Sequence, residues 1–171
     1  MIKIRGPHTF FMRKFRFIVA GSPGTLPTFE RTLFGPFEII LKQDIDRMWF
    51  FHQEENSINN CVEYVPYVFQ VLAQMLELHK GDQVPPEYWN TLPLLLTPAV
   101  WQQKGSIPGL VRLLTAFLAQ DSASMVAAGQ IAPVLAVAQQ RLIPSKVNDE
   151  WGIELLQAVV RHVKQCVSTF D

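Results

Sequence analysis

One helical pattern recurs three times in this chain at an interval of 42 residues, and few architectures accommodate that. In Ser106–Gln120 the apolar residues Leu110, Val111, Leu113, Leu114, Phe117 and Leu118 have the 3-and-4 spacing that places them on one stripe of an α-helix. A backward shift of 42 lands the stripe on Val68, Phe69, Val71, Leu72, Met75 and Leu76, and lands Pro108 on Pro66. A forward shift lands it on Gly152, Ile153, Leu155, Leu156, Val159 and Val160, where Gly152 alone breaks the pattern. Any two amphipathic helices can be slid into register, but here one shift aligns three helices and a pair of prolines. A period of about 40–47 residues belongs to stacked helix pairs.

The rest of the chain punctuates accordingly. Gly21–Gly24 reads as a turn, and Thr25 reads as the cap of a helix with Pro27 in its first turn. That helix carries Leu33, Phe34, Phe37, Ile40 and Leu41 on to Ile45, with a kink expected at Gly35-Pro36. Further helices are expected over Tyr64–Lys80, Glu87–Trp101, Ser106–Gln120 and Ser124–Ile143, and from Asn148 or Asp149 to about Lys164. Pro93 and Pro98 should bend or split the second of these, and Ser106 should cap the third. The expected fold is all-α, an α-solenoid of antiparallel helix pairs. Four segments follow: 1–24, basic and unassigned; 25–46, helical and opening the array; 47–61, a loop or insertion; and 62–171, helical repeats with no closing element before Asp171.

Composition narrows the function. Apolar residues make up 49% and charged residues 18%, which describes an ordered chain. Fifteen basic residues balance fifteen acidic ones, so no net field draws the chain to nucleic acid or membrane. The distribution is uneven, because residues 1–24 hold Lys3, Arg5, Arg13, Lys14 and Arg16 and no acid. The apolar runs Leu92–Trp101 and Met125–Ala138 are interrupted and fall short of the ~18 residues a membrane span requires. Cys61 and Cys166 have neither CxxC nor Cys/His spacing and read as free thiols of a reducing compartment.

Catalytic sets are not legible. His8, His52, His79 and His162 lie far apart with no HExxH or His-x-His pairing. Gly21-Ser22-Pro23-Gly24-Thr25 lacks the lysine of a phosphate loop, and Asp149-Glu150 suits a helix N-terminus better than an acid/base couple. Trp89, Trp101 and Trp151 read as packing residues, while Lys104 and Arg112 could offer charge to a protein partner. No catalytic, cofactor or metal residue is therefore assigned, no enzyme is expected, and partner-contacting positions stay unassigned.

The strings EYVPYVFQVLAQMLELHKGD, LLLTPAVWQQKGSIPGLVRLLTAFLAQ and IPSKVNDEWGIELLQAVVRHV resemble the C-terminal HEAT repeats of the importin-β superfamily. Within it they are similar to the branch that re-exports importin-α. TLPTFERTLFGPFEIILKQDI is similar to the preceding helices, so the resemblance covers about four-fifths of the chain. It departs from the family where residues 47–61 intervene and in its much shorter length. The resemblance implies a fragment of a nuclear transport receptor that binds importin-α and Ran-GTP, shuttles between nucleus and cytoplasm, and performs no catalysis. A general helical-repeat scaffold is the other reading. Either way, the outermost helices should expose apolar surface, and self-association is expected.

Overall fold

The computed structural model describes residues 7–50, 65–79 and 83–167, and every regular element among them is helical. In chain order they are α1 (Pro7–Gly21), a 3-10 turn (Pro23–Thr25), α2 (Leu26–Phe50), α3 (Val65–Leu78), α4 (Pro86–Leu95), a second 3-10 turn (Pro98–Gln102), α5 (Ile107–Ala127), α6 (Ile131–Val137) running into a π turn (Ala138–Leu142), and α7 (Asp149–Val167).

Proline chemistry sets several of these boundaries. Pro66 and Pro108 both occupy the first turn of a helix, where a missing N–H costs nothing. Pro98 pushes Thr97 into an extended conformation (φ −71°, ψ 136°), so the helix expected over Glu87–Trp101 splits there. Trp101 bridges the break by donating its indole N–H to the Leu95 carbonyl at 2.8 Å.

Several expectations need correction. Residues 1–24 were unassignable because Phe15, Phe17 and Val19 alternate with charge, yet α1 is helical. Phe15 and Val19, four apart, are buried, while Phe17 is 81% exposed. Helix α2 passes Gly35-Pro36 unbroken and continues through Phe50, beyond the 25–46 expected, so Arg47–Phe50 are helical. Residues 51–61 of the expected loop or insertion lie outside the described residues. Thr25 does not cap α2 with its side chain; its hydroxyl donates back to the Ser22 carbonyl at 2.7 Å. Ser106 is itself in helical conformation and makes no capping bond.

The break expected between Gln120 and Ser124 is a kink within α5. Asp121 leaves helical geometry (φ −151°, ψ 62°), and its carboxylate accepts the Ser124 N–H at 3.0 Å, capping the short trailing segment. The true stop comes at Gly129, whose φ of +68° suits glycine, so α6 starts at Ile131 and not at Ser124.

The core is built around α5. Its most extensive interfaces are with α3 on one side and α7 on the other. Leu110, Val111, Leu113, Leu114, Phe117 and Leu118 are all 0% exposed. Burial stabilises by roughly 1.5–3 kcal/mol for each such side chain, so no other helix contributes more. By length and composition α5 could also cross a membrane, but its stripe is sealed between two neighbouring helices.

Close approach is possible because of Gly109. A Cβ there would lie 2.9 Å from the Phe69 Cβ and 3.2 Å from the Pro66 carbonyl oxygen. Gly152, the one break in the repeated stripe, has a matching reason: its Cβ would lie 3.0 Å from Leu142 and Ile143 at the end of the π turn. Substituting Gly109→Ala is expected to lower stability in urea titration by about 1–3 kcal/mol, the typical cost of overpacking. That holds although alanine favours a helix by about 1 kcal/mol. A more stable variant would mean the α3–α5 approach can relax.

Candidate protein-interaction surface

Helices α3, α5 and α7 run parallel and in register, and side-chain hydrogen bonds show it directly. Near their N-terminal ends, Arg112 of α5 donates to Gln70 of α3 at 3.2 Å, 42 residues away. The same guanidinium makes a two-pronged pair with Glu77, Nε to Oε1 and Nη2 to Oε2, both at 2.7 Å. Near the C-terminal ends, the Gln120 amide donates to the carbonyls of Leu76 (3.2 Å) and His79 (3.3 Å), closing the last turn of α3. Ser122 does the same toward α7, donating to the His162 carbonyl at 3.3 Å. Each bond joins residues between 35 and 44 apart in sequence.

A second polar cluster ties α2 to the repeats. Tyr88 of α4 is fully buried and donates its hydroxyl to Glu30 Oε1 at 2.9 Å. His79 Nδ1 lies 3.6 Å from the same oxygen. Burial first, and then the Glu30 carboxylate, push the Tyr88 phenol far above its ordinary pKa. Its ring stands edge-on to Phe34 and Phe117, which joins α2, α4 and α5. This cluster is structural: it opens onto no ligand-sized space, and its acceptor and donor satisfy one another.

The residues singled out in the sequence do not converge. His79 and His162 lie in separate helices; burial and then Arg161 lower the His162 pKa. Among the described residues no three His, Cys, Asp or Glu side chains form a group able to hold a metal. Asp149 and Glu150 stand in the first turn of α7, where the Asp149 carboxylate accepts the Glu150 N–H at 2.8 Å. Trp89 packs edge-on against Phe117, and Trp89 and Trp151 are half-buried against the core. Lys104 is exposed, but Arg112, considered for a partner, is engaged within the chain. Sequence reasoning missed Gln70, Glu77 and Gln120. The available signal was that Gln70 and Arg112 occupy the same position of successive repeats.

Two concavities lie at opposite ends of the helix row. One of about 610 Å³ is lined by Arg13, Lys14, Arg16, Phe17, Ile18 and Ala20 of α1. The other, about 420 Å³, is lined by Asp149, Glu150, Ile153, Glu154 and Gln157 of α7. Neither brings a nucleophile and a base together.

These features define an all-α protein whose largest interfaces join helices about one period apart and whose free surface is broad and unpocketed. The chain belongs to the family described as CAS/CSE protein, C-terminus, which matches residues 13–169. It is 39% identical over 136 residues to Exportin-2 of Drosophila melanogaster, covering 79% of this chain and 12% of that protein. With Exportin-2 of Mus musculus it shares 38% over 149 residues, covering 86% and 14%. With Exportin-2 of Xenopus laevis it shares 35% over 157 residues, covering 91% and 14%. The chain thus spans only 12–14% of the length of these relatives. No solved structure matches it.

The Tyr88–Glu30 pair generates a pH prediction. A phenol whose folded pKa is raised above its unfolded value near 10 contributes stability that is complete below pH 10 and lost as pH rises beyond it. Unfolding free energy should fall above pH 10 by up to about 1.4 kcal/mol per pH unit. Tyr88→Phe should flatten that slope while costing about 1–3 kcal/mol at neutral pH, because the Glu30 carboxylate loses its donor. An unchanged alkaline slope in the variant would assign the loss to other groups.

Proposed function

We propose that the chain acts as the corresponding C-terminal part of a nuclear export receptor, one that carries importin-α back to the cytoplasm together with Ran-GTP. The observation that carries this reading is the family match over residues 13–169, with relatives named Exportin-2 aligned across most of the chain. The work is binding, not catalysis, and it is done in shuttling between nucleus and cytoplasm without cofactor, nucleic acid or membrane insertion. A general helical-repeat scaffold has nothing in its favour beyond the repeat itself.

The architecture that suits this role is a solenoid of helix pairs with a period of 42 residues. Three features support it: the parallel row α3–α5–α7, the one-period hydrogen bonds, and the matched placement of Pro66 and Pro108. A fourth comes from α1, which packs on α3. Its buried Phe15 and Val19 stand 57 residues before the buried Leu72 and Leu76. That is one period plus the fifteen residues 47–61, as an insertion between two ordinary repeats requires. On this reading α1 and α2 form the first pair, α3 and α4 the second, α5 and α6 the third, and α7 opens a fourth.

Immobilised chain is expected to retain importin-α severalfold more strongly with Ran-GTP than without, because coupled ligands strengthen each other by about 1–3 kcal/mol. Absence of retention under both conditions would remove the transport reading for this chain. Equal retention would favour a scaffold without nucleotide-state control. In dilute solution a solenoid should also scatter with a radius of gyration above the ~15.5 Å expected of a compact domain of this length.

A further inference from the structure

The two ends of the helix row break the burial rule that its interior obeys. Val111 and Leu118 of α5 are 0% exposed, but their equivalents 42 residues on in α7, Ile153 and Val160, are 52% and 66% exposed. At the other end, Gln74 and Met75 of α3 are 2% and 0% exposed. Their equivalents 57 residues earlier in α1, Phe17 and Ile18, are 81% and 50% exposed. The apolar side chains persist at both ends; only the neighbour that would cover them is missing.

The two faces are also opposite in charge. Around Phe17 and Ile18 stand Arg13, Lys14 and Arg16, and α1 carries no acid. Around Ile153 stand Asp149, Glu150 and Glu154. We propose that the α1 face of one copy docks on the α7 face of a second copy, continuing the helix row from chain to chain.

The interior supplies the register. Arg112 of α5 touches Gln70 of α3 one period earlier, and the same position of the repeat is filled by Glu154 in α7 and by Arg13 in α1. A second copy laid on in that register brings its Arg13 level with Glu154, where the interior places Arg112 beside Gln70. Its Phe17 and Ile18 then fall between Ile153 and Val160. Arg161 and Lys164 of α7 fall level with Ala20 and beyond, where α1 offers neither acid nor base to oppose them.

The surfaces that meet are different, so the contact is head-to-tail and does not close at two chains. One helix face per partner is a small interface, and the association is accordingly weak, in the range of about 10–100 µM. This inference concerns the isolated chain and is independent of whether importin-α binds.

Sedimentation velocity of the 171-residue chain across that range should show an average mass that keeps climbing with concentration. Raising salt from about 50 to 500 mM should weaken the association, since exposed charges are screened. Arg13→Glu and Glu154→Lys should each weaken it about tenfold or more. Mixing the two variants should restore it, because each then meets an oppositely charged face in the other. Far-UV circular dichroism establishes that both variants are folded. A monomer at every concentration, a dimer that saturates, association indifferent to both substitutions, or no recovery on mixing folded variants would each overturn the proposal.

Discussion

Burial of α5 between two helices of its own kind is the constraint on which the rest depends. Six of its side chains are removed entirely from water, and no single neighbouring helix could cover them all. Two flanking helices are therefore required, and the chain supplies them one period before and one period after. The hydrogen bonds between these helices are a smaller contribution, each about 0.5–1.5 kcal/mol net, against roughly 1.5–3 kcal/mol for each buried apolar side chain. Their effect is on register. Arg112 reaching Gln70 and Glu77, and Gln120 closing the last turn of α3, fix which residues of an otherwise slippery apolar stripe lie level. Apolar area decides that the helices pack, and polar geometry decides how far along each other they sit.

Parallel neighbours need a return path, and this explains the second set of helices. The chain comes back through α4 between α3 and α5, and through α6 between α5 and α7. These return helices are shorter and more broken, by Pro93 and Pro98 in one case and by the π turn in the other. They are held by large individual contacts in place of a continuous stripe. Tyr88 reaches both Phe34 and Phe117, and Leu142 meets the backbone of α7 at Gly152. Because each contact links elements near in sequence, strain at one point passes chiefly to adjacent units, a property suited to a binding surface that must adapt its curvature.

The row was legible because its signal is redundant. Three helices repeat one stripe, and a pair of prolines repeats with them, so misreading any single residue would not have hidden it. What was missed depends on single atoms or on interruptions. Helix α1 escaped because residues 47–61 carry it out of the 42-residue register; shifted by 42, Phe15 and Val19 fall on Ser57 and Cys61, not on the α3 stripe. The role of Gly109 is invisible in sequence, since only the 2.9 Å approach of Phe69 distinguishes it from a dispensable helical glycine. Ser106 and Thr25 had the composition of caps, but their hydroxyls found other partners. The kink at Asp121 was placed within a residue or two, while its consequence, that Ser124–Ala127 stay with α5, was not. That outcome turns on Gly129 adopting positive φ and so moving the real boundary downstream.

The end helices show what burial alone does not record. Leu118 and Val160 occupy one position of the repeat and differ little in hydrophobicity, yet one is sealed and the other stands mostly in water. If α7 were a true terminal element, a polar residue at Val160 would lower the cost of exposure, as capping repeats do. The same holds for Phe17 in α1, where burial of an aromatic ring is the larger stake. Both helices keep interior chemistry on an outer face while their charges diverge, basic along α1 and acidic at the start of α7. Apolar residues on an uncovered face define a surface that needs a neighbour, and the sign of the surrounding charge restricts which neighbour it accepts.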